Sequence, residues 1–529
     1  MLPATPRVAA VRRLIDEKQY FVVHAPRQVG KTTSLAALAR DLTAEGTYAA
    51  LHTSCETGQL LRPDLEASMN GVLATLQHNA ERALPAELRP PDTDGSRPVT
   101  ARLLDLLARW AEGCPRPVVL FLDEIDALYD DALITVLRQL RSGFAYRPGG
   151  FPQAVALIGL RDVRDYKVSV KVPAQAEDGA LLGTASPFNI KSDSLRLPNF
   201  TADEVTRLLQ QHTDETGQAF EEETRAGVFR ATQGQPWLVN ALARQLVETV
   251  VPSREQAITP EHLRLAEEIV IRRRDTHLDS LLDRLREPRV RRILEPILAG
   301  ELPGEGTDDE GLDDDLQFVK DLGLVDVGES GLEIANPIYR EIIPRALTAA
   351  TEHYVPMRRT IYVDENGALR WNALLDGFIA FWKQNAEWML RRQPYSEAAA
   401  QLVFMAFLHR LVNGVDLGPE DVRAQPRVAT VDREFAVGSG RIDLLVRWPV
   451  PGSVVSVQRF AVELKVWRDG AQDPALSGLD QLGAYLDRLG LDTGTLIVFD
   501  LRADAPPMTE RCRRSTVEHG GRSFTVLQA

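Results

Sequence analysis

The chain has 529 residues, 44% of them hydrophobic and 26% charged, and a formal net charge of −14. That length is too great for one hydrophobic core and calls for several domains, while the composition excludes long-range disorder. The acidity excludes a protein that coats nucleic acid, so any phosphate contact must come from a local basic patch. Cys55, Cys114 and Cys512 lie far apart without CxxC pairing, which fits a reducing cytosol better than a disulfide framework or a zinc site. Arg7, Arg12 and Arg13 interrupt the N-terminus before any signal-peptide core, and apolar runs such as Val118–Leu122 are far too short to span a bilayer. The expectation is a soluble, cytoplasmic protein with no membrane partner.

To about residue 200, short apolar runs alternate with helical patterns. Tyr20–Val23, Ala49–His52, Val118–Leu122 and Val155–Ile158 read as buried strands, and Ala101–Trp110 as an amphipathic helix. Strands alternating with helices predict a parallel sheet covered on both faces. Residues 89–99, rich in Pro, Asp and Gly, read as a surface loop. From 201 to 258 the pattern is helical: Thr201 and Glu204 fit a capping box, and Pro236 stands where a helix's first turn tolerates a missing N–H. Residues 259–350 show helices followed by two short strands, Leu324–Val327 and Gly331–Ile334, a pattern compatible with a winged helix. The run Arg272–Arg274 reads as a solvated helix face, with a nucleic-acid or partner contact as the alternative. A helical connector rich in Trp and Phe spans 351–394. Residues 395–529 then run helix, strands, helix, strand, a small α/β domain of its own.

Two local patterns carry chemistry. Ala25-Pro-Arg-Gln-Val-Gly30-Lys31-Thr32-Thr33 follows a predicted strand and opens a helix, the setting of a Walker A loop. Successive backbone N–H groups and a helix N-terminus there surround phosphates. Lys31 would neutralise the β- and γ-phosphates, Thr32 would bind Mg²⁺, and Gly30 and Thr33 belong to the same cradle. The motif's first glycine is replaced by Ala25. About ninety residues on, Val118–Leu122 ends in Asp123 and Glu124, placed to hold Mg²⁺ and to orient the attacking water. Without the loop, those carboxylates would read as an ordinary strand end. With these residues in place, residues 1 to about 350 resemble AAA+-related ATPases of the STAND and archaeal-ATPase-like group. The resemblance implies an ATP site, a P-loop core (1–200), a helical lid (201–258) around Gly234-Gln-Pro236, and a winged helix. It also implies a γ-phosphate-sensing role for Arg161, which otherwise reads as a surface arginine.

The second pattern is C-terminal. Glu463 and Lys465, two apart on a predicted strand, share one side, while Val462, Leu464 and Val466 share the other. Asp443 falls on the preceding strand, Glu397 on an earlier helix, and Gln481 with Tyr485 on one face of a later helix. Two close carboxylates are costly without a cation and suit Mg²⁺; the triplet alone would read as a surface ion pair. Taken in order, these residues resemble the PD-(D/E)XK nuclease superfamily over roughly 395–500. That resemblance implies a metal held by Asp443, Glu463 and Glu397, with Lys465 and Gln481 as catalytic partners and Mn²⁺ as a substitute ion.

The fold expected is α/β and multidomain: a P-loop NTPase parallel sheet, helical lid, winged helix and C-terminal restriction-endonuclease-like domain. The function expected is an ATP-binding module controlling a nuclease that acts on DNA rather than RNA, in an architecture that resembles prokaryotic defence proteins and allows a homo-oligomer. The alternative is a STAND-like switch in which the nuclease fold is a non-catalytic scaffold.

Overall fold

The computed structural model describes residues 5–61, 64–128, 130–160, 191–273, 283–299, 312–328, 331–352, 359–392, 399–413, 430–437, 440–450 and 457–529. They divide into two compact units, Met1–Arg264 with Gln317–Val325, and Leu265–Leu316 with Asp326–Ala529.

The first unit is built on a parallel sheet of β1 (Tyr20–His24), β2 (Ala49–Ser54), β3 (Val118–Asp123), β4 (Ala154–Gly159) and β5 (Lys191–Arg196), in the order β2-β3-β4-β1-β5. Strands β1 to β4 coincide with the apolar runs of the sequence, and their alternate residues feed two cores. Tyr20, Val22, Leu51, Leu120 and Leu122 pack with Leu76, Leu107, Trp110 and Leu137. Phe21, Val23, Ala50, Phe121 and Ile158 pack with Leu35, Leu38 and Leu42 of the helix Lys31–Ala44. Each such aliphatic side chain contributes roughly 1.5–3 kcal/mol by leaving water, which is why continuous apolar runs select central strands. Strand β5, Lys-Ser-Asp-Ser-Leu-Arg, was not expected. Among the described residues it pairs with β1 alone, at the edge of the sheet, and Leu195 is its apolar contact with the core.

Because the sheet is parallel, the ends of β1, β2 and β3 (His24, Ser54 and Asp123) reach the same edge. That edge is where ligands bind in open α/β sheets. Beyond the sheet, the helix Ala202–Thr216 begins with the anticipated capping box, Thr201 Oγ1 accepting from Glu204 N–H at 3.2 Å and Glu204 Oε2 from Thr201 N–H at 2.9 Å. Pro236 is the first residue of the helix Pro236–Arg244. The preceding Gly234 is confined by φ +67° and by the Phe200 carbonyl oxygen, 1.9 Å from where a Cβ would stand.

In the second unit, the chain forms a two-stranded sheet of β6 (Val325–Gly328, its first residue counted with the other unit) and β7 (Gly331–Ile334). A six-stranded mixed sheet follows: β8 (Thr430–Val437), β9 (Gly440–Pro449), β10 (Val457–Trp467), β11 (Gly494–Asp500), β12 (Arg513–His519) and β13 (Arg522–Gln528), in the order β12-β13-β11-β10-β9-β8. Strands β8, β9 and β10 are antiparallel, β10-β11 and β11-β13 parallel, and β12-β13 antiparallel. On one face, Val462 and Leu464 of β10 meet Phe378 and Trp382 of the helix Trp371–Arg392 and Phe404 and Phe407 of the helix Ala399–Asn413. On the other face, Ala461 meets Leu479, Leu482 and Leu486 of the helix Ala475–Leu489. The terminal hairpin β12-β13 was not expected from the sequence. Among the described residues, no helix is long and apolar enough to cross a membrane.

Candidate functional site

The loop between β1 and the helix Lys31–Ala44 wraps around that helix's N-terminus. Gly30 is the helix's N-cap, at φ +88°, and its carbonyl accepts from Ser34 N–H at 2.9 Å. A side chain at that dihedral costs roughly 1–2 kcal/mol, so the last glycine of the motif is required by the backbone itself. The first glycine is not. Ala25 is fully buried, and its N–H reaches the Gly159 carbonyl at 3.4 Å, prolonging the β1-β4 pairing. Lys31 donates from Nζ to the carbonyls of Ala25 (2.7 Å) and Pro26 (2.9 Å). Burial lowers its pKa, against the opposing pull of Asp126 and Asp123. Thr33 is exposed on the helix's first turn.

At the end of β3, Asp123 is 2% exposed and collects three donors. Thr32 Oγ1 (2.6 Å) and His52 Nε2 (3.0 Å) reach its Oδ2, and Glu124 N–H (2.8 Å) reaches its Oδ1. Burial alone would raise its pKa, but the hydrogen bonds from His52 and Thr32 outweigh that and leave it below the ordinary carboxylate value. Glu124 has left-handed backbone (φ +54°), turns out towards solvent, and accepts from Ser54 Oγ at 2.6 Å. Local desolvation raises its pKa, with the Ser54 hydrogen bond opposing and neighbouring carboxylates adding.

Lys31, Thr32, Asp123 and Glu124 thus converge on one sheet edge, with a helix N-terminus, a cation, a hydroxyl and two carboxylates. Such a set fits a nucleoside triphosphate with Mg²⁺. His52 and Ser54 belong to the same constellation and were not anticipated; they come from β2, whose neighbour is β3. Arg7, from the turn Thr5–Val8, braces the loop beside them: its Nη1 and Nη2 donate to the carbonyls of Val29 (3.3 Å) and Pro198 (2.6 Å), and its guanidinium lies 4.6 Å from the Phe200 ring centroid. Arg161 lies outside the described residues.

The C-terminal constellation forms where β9 meets β10. The last paired residues are Val462 and Leu444, so Asp443 and Glu463 follow as the next cross-strand neighbours on the side of the helix Ala475–Leu489. Asp443 Oδ2 accepts from Leu464 N–H at 2.7 Å. Glu463 is fully buried, and among the described residues neither of its carboxylate oxygens has a well-aligned hydrogen-bond donor. Lys465 Nζ stands 2.9 Å from Glu463 Oε1 as an ion pair and also donates to Gln481 Oε1 at 2.9 Å. Gln481 Nε2 donates onward to the Tyr485 hydroxyl at 3.1 Å. Burial first, and the Asp443 charge second, raise the Glu463 pKa to about 8; Lys465 offsets part of this. The Lys465 pKa is raised: burial alone would lower it, and the attraction of Glu463 prevails.

A buried carboxylate beside a second carboxylate is electrostatically costly; Lys465 offsets part of that cost, and a divalent cation would offset more. Asp443 and Glu463 offer the oxygen donors that a divalent cation such as Mg²⁺ takes. Glu397, the third acidic ligand expected, lies outside the described residues. Among the described residues, no group of three or more His, Cys, Asp or Glu side chains forms a ready-made metal cluster.

Residues 13–166 match the family model described as an AAA domain. Among solved structures, the Walker-type ATPase PABY2304 of Pyrococcus abyssi aligns at 17% identity over 65% of this chain and 96% of its own, with a TM-score of 0.42. The Thermotoga maritima RuvB Holliday junction branch migration motor aligns at 14% identity over 64% of this chain and 92% of its own, with a TM-score of 0.33. Cdc6p from Pyrobaculum aerophilum aligns at 13% identity over 66% and 93% respectively, with a TM-score of 0.33. No curated protein matches the chain. The family match spans β1 to β4 and both nucleotide-site motifs, and the chain accordingly carries an AAA-type P-loop ATPase domain.

Proposed function

We propose that the ATPase domain regulates a Mg²⁺-dependent nuclease carried by residues 395–529, which cleaves phosphodiester bonds of nucleic acid, DNA rather than RNA. The observation that carries this reading is Glu463: fully buried, its charge raised in cost by a second carboxylate, Asp443, and offset only in part by the ion pair with Lys465. A purely structural ion pair gains nothing from a second carboxylate beside it, which only adds repulsion. Evolutionary drift away from function is expected to discard so costly a carboxylate, since an apolar side chain there would stabilise the fold. When bound, the metal would lower the pKa of a coordinated water and stabilise charge at phosphorus. Asp443 and Glu463 would hold the ion, with Glu397 as a further ligand. Lys465, steered by Gln481 and Tyr485, would orient the attacking water. Mn²⁺ would serve in place of Mg²⁺.

In this reading Lys31, Gly30, Thr32 and Thr33 cradle the phosphates of ATP, Thr32 and Asp123 hold its Mg²⁺, Glu124 orients the hydrolytic water, and Arg161 senses the γ-phosphate. The parts are a P-loop core to residue 200, a helical lid to 258, a winged helix to 350 and a helical connector to 394. A homo-oligomer is part of the proposal, because a cut through both strands of a duplex needs two nuclease sites.

The coupling has its own test. Cleavage by the full chain is followed with and without ATP, for wild type and Lys31→Ala. The expected result is an ATP-dependent change of several-fold in wild type that Lys31→Ala abolishes. Equal cleavage in all four reactions would remove the regulation and leave two independent activities. The net charge of −14 favours a second reading, a STAND-like ATP switch whose nuclease fold recruits partners without cutting.

A further inference from the structure

The carboxylate of Asp123 is held asymmetrically. Its Oδ2 receives both the Thr32 hydroxyl at 2.6 Å and His52 Nε2 at 3.0 Å, while among the described residues Oδ1 receives the Glu124 N–H alone, at 2.8 Å. An ionised carboxylate offers about two acceptor positions on each oxygen, so Oδ2 is filled and Oδ1 keeps one. An ionised carboxylate can only accept, so Nε2 is the nitrogen of His52 that carries the proton.

The placement of His52 follows from the sheet. It sits on β2 in register with Phe121, and Ser54 is in register with Asp123 itself. The ring therefore lies one strand away from the carboxylate and reaches it sideways. His52 is only 15% exposed, so its donor is sheltered from competing water.

We infer that His52 is a positioning residue for the ATPase site: by occupying Oδ2 together with Thr32, it fixes Oδ1 of Asp123 as the oxygen available to the nucleotide's Mg²⁺ and its water. This rests on the reading of Lys31, Thr32 and Asp123 as that site. Without His52, Oδ2 keeps one donor, and the two oxygens become nearly equivalent. The carboxylate can then turn, and what is lost is the contribution of Mg²⁺ to nucleotide binding, not the phosphate cradle. Groups that orient a metal ligand from behind typically affect metal affinity by about 10–100-fold.

The bland role for His52 is to fill space between β2 and β3, and two substitutions separate the two roles. His52→Gln carries an N–H as many bonds from the backbone as Nε2, whereas His52→Leu fills the volume and donates nothing. ADP affinity of the full chain is measured by calorimetric titration in excess Mg²⁺ and again in EDTA, and the ratio of the two affinities is the readout. Wild type and His52→Gln are expected to share one ratio, and His52→Leu to lose about 10-fold of it with its EDTA affinity unchanged. An unchanged ratio in His52→Leu, equal weakening in both media, or a His52→Gln that fails like His52→Leu would overturn the positioning role while wild-type binding stands. A wild type that binds no ADP in either medium would overturn the nucleotide-site reading along with it.

Discussion

Glu124→Gln is expected to slow ATP hydrolysis by about 10²–10⁴-fold while leaving ATP affinity within about threefold of wild type. The reason lies in what the substitution keeps. The glutamine carbonyl can still accept from Ser54 Oγ, which now donates to Glu124 Oε2 at 2.6 Å, so the left-handed turn after β3 and the Asp123 hydrogen bonds are preserved. What disappears is the negative charge that orients and polarises the attacking water. Lys31 and the loop N–H groups, which supply binding, are untouched. Steady-state hydrolysis and equilibrium binding of ATP, measured on one preparation, read the two effects separately. Hydrolysis at the wild-type rate would take Glu124 out of the reaction.

Glu463→Gln is expected to do two opposite things. Cleavage of nucleic acid should fall by roughly 10²-fold or more, the scale on which single groups that stabilise a transition state act. Stability in EDTA should rise. Burial and Asp443 lift the Glu463 pKa to about 8 in the folded chain, far above its value of about 4.3 in an unfolded one. Between those values the folded state binds more protons than the unfolded state, so the wild type loses stability as pH rises through that window. The loss is absent below the unfolded pKa and complete above the folded one. A glutamine of the same shape has no such charge to bury, and Lys465, whose side chain is 25% exposed, keeps Gln481 and solvent as partners when the carboxylate goes. At pH 8 in EDTA the variant should exceed wild type by about 1–3 kcal/mol, and the gap should close towards pH 5. Denaturant unfolding at several pH values measures it. A Glu463→Gln variant less stable than wild type at pH 8 would show that the carboxylate is well paired rather than waiting for a cation.

The sequence disclosed most where the chemistry is local or strictly periodic. Lys31 and Thr32 are adjacent to the strand and helix that hold them, and Asp123 ends an apolar run, so motif and context sit within a few residues of each other. Glu463 and Lys465 were legible because strand alternation alone puts them on one face with the apolar residues on the other. His52 and Ser54 were not legible, because they act across a strand pairing that joins positions some seventy residues apart. Nothing local marks a histidine in Ala-Ala-Leu-His-Thr-Ser as the partner of a distant carboxylate. Strand β5 carried little apolar signal, since among the described residues it pairs on one side alone and Leu195 is its one apolar residue. The terminal hairpin was missed for a different reason. Its strand β12 is mostly exposed and polar, yet Gly520-Gly521 between β12 and β13 is a recognisable two-residue turn signal that could have revealed it. The full burial of Glu463 was also beyond the sequence, because it depends on the helix Ala475–Leu489 closing over that face of the sheet.

The most direct measurement is cleavage of labelled plasmid by the purified full chain in Mg²⁺ or Mn²⁺, wild type against Asp443→Ala, with EDTA as the blank. The account predicts nicked or linear product from wild type with either ion, none in EDTA, and none from Asp443→Ala. Equal cutting by Asp443→Ala, or no cutting by wild type with either ion, would contradict it and leave an ATPase joined to a nuclease-like scaffold.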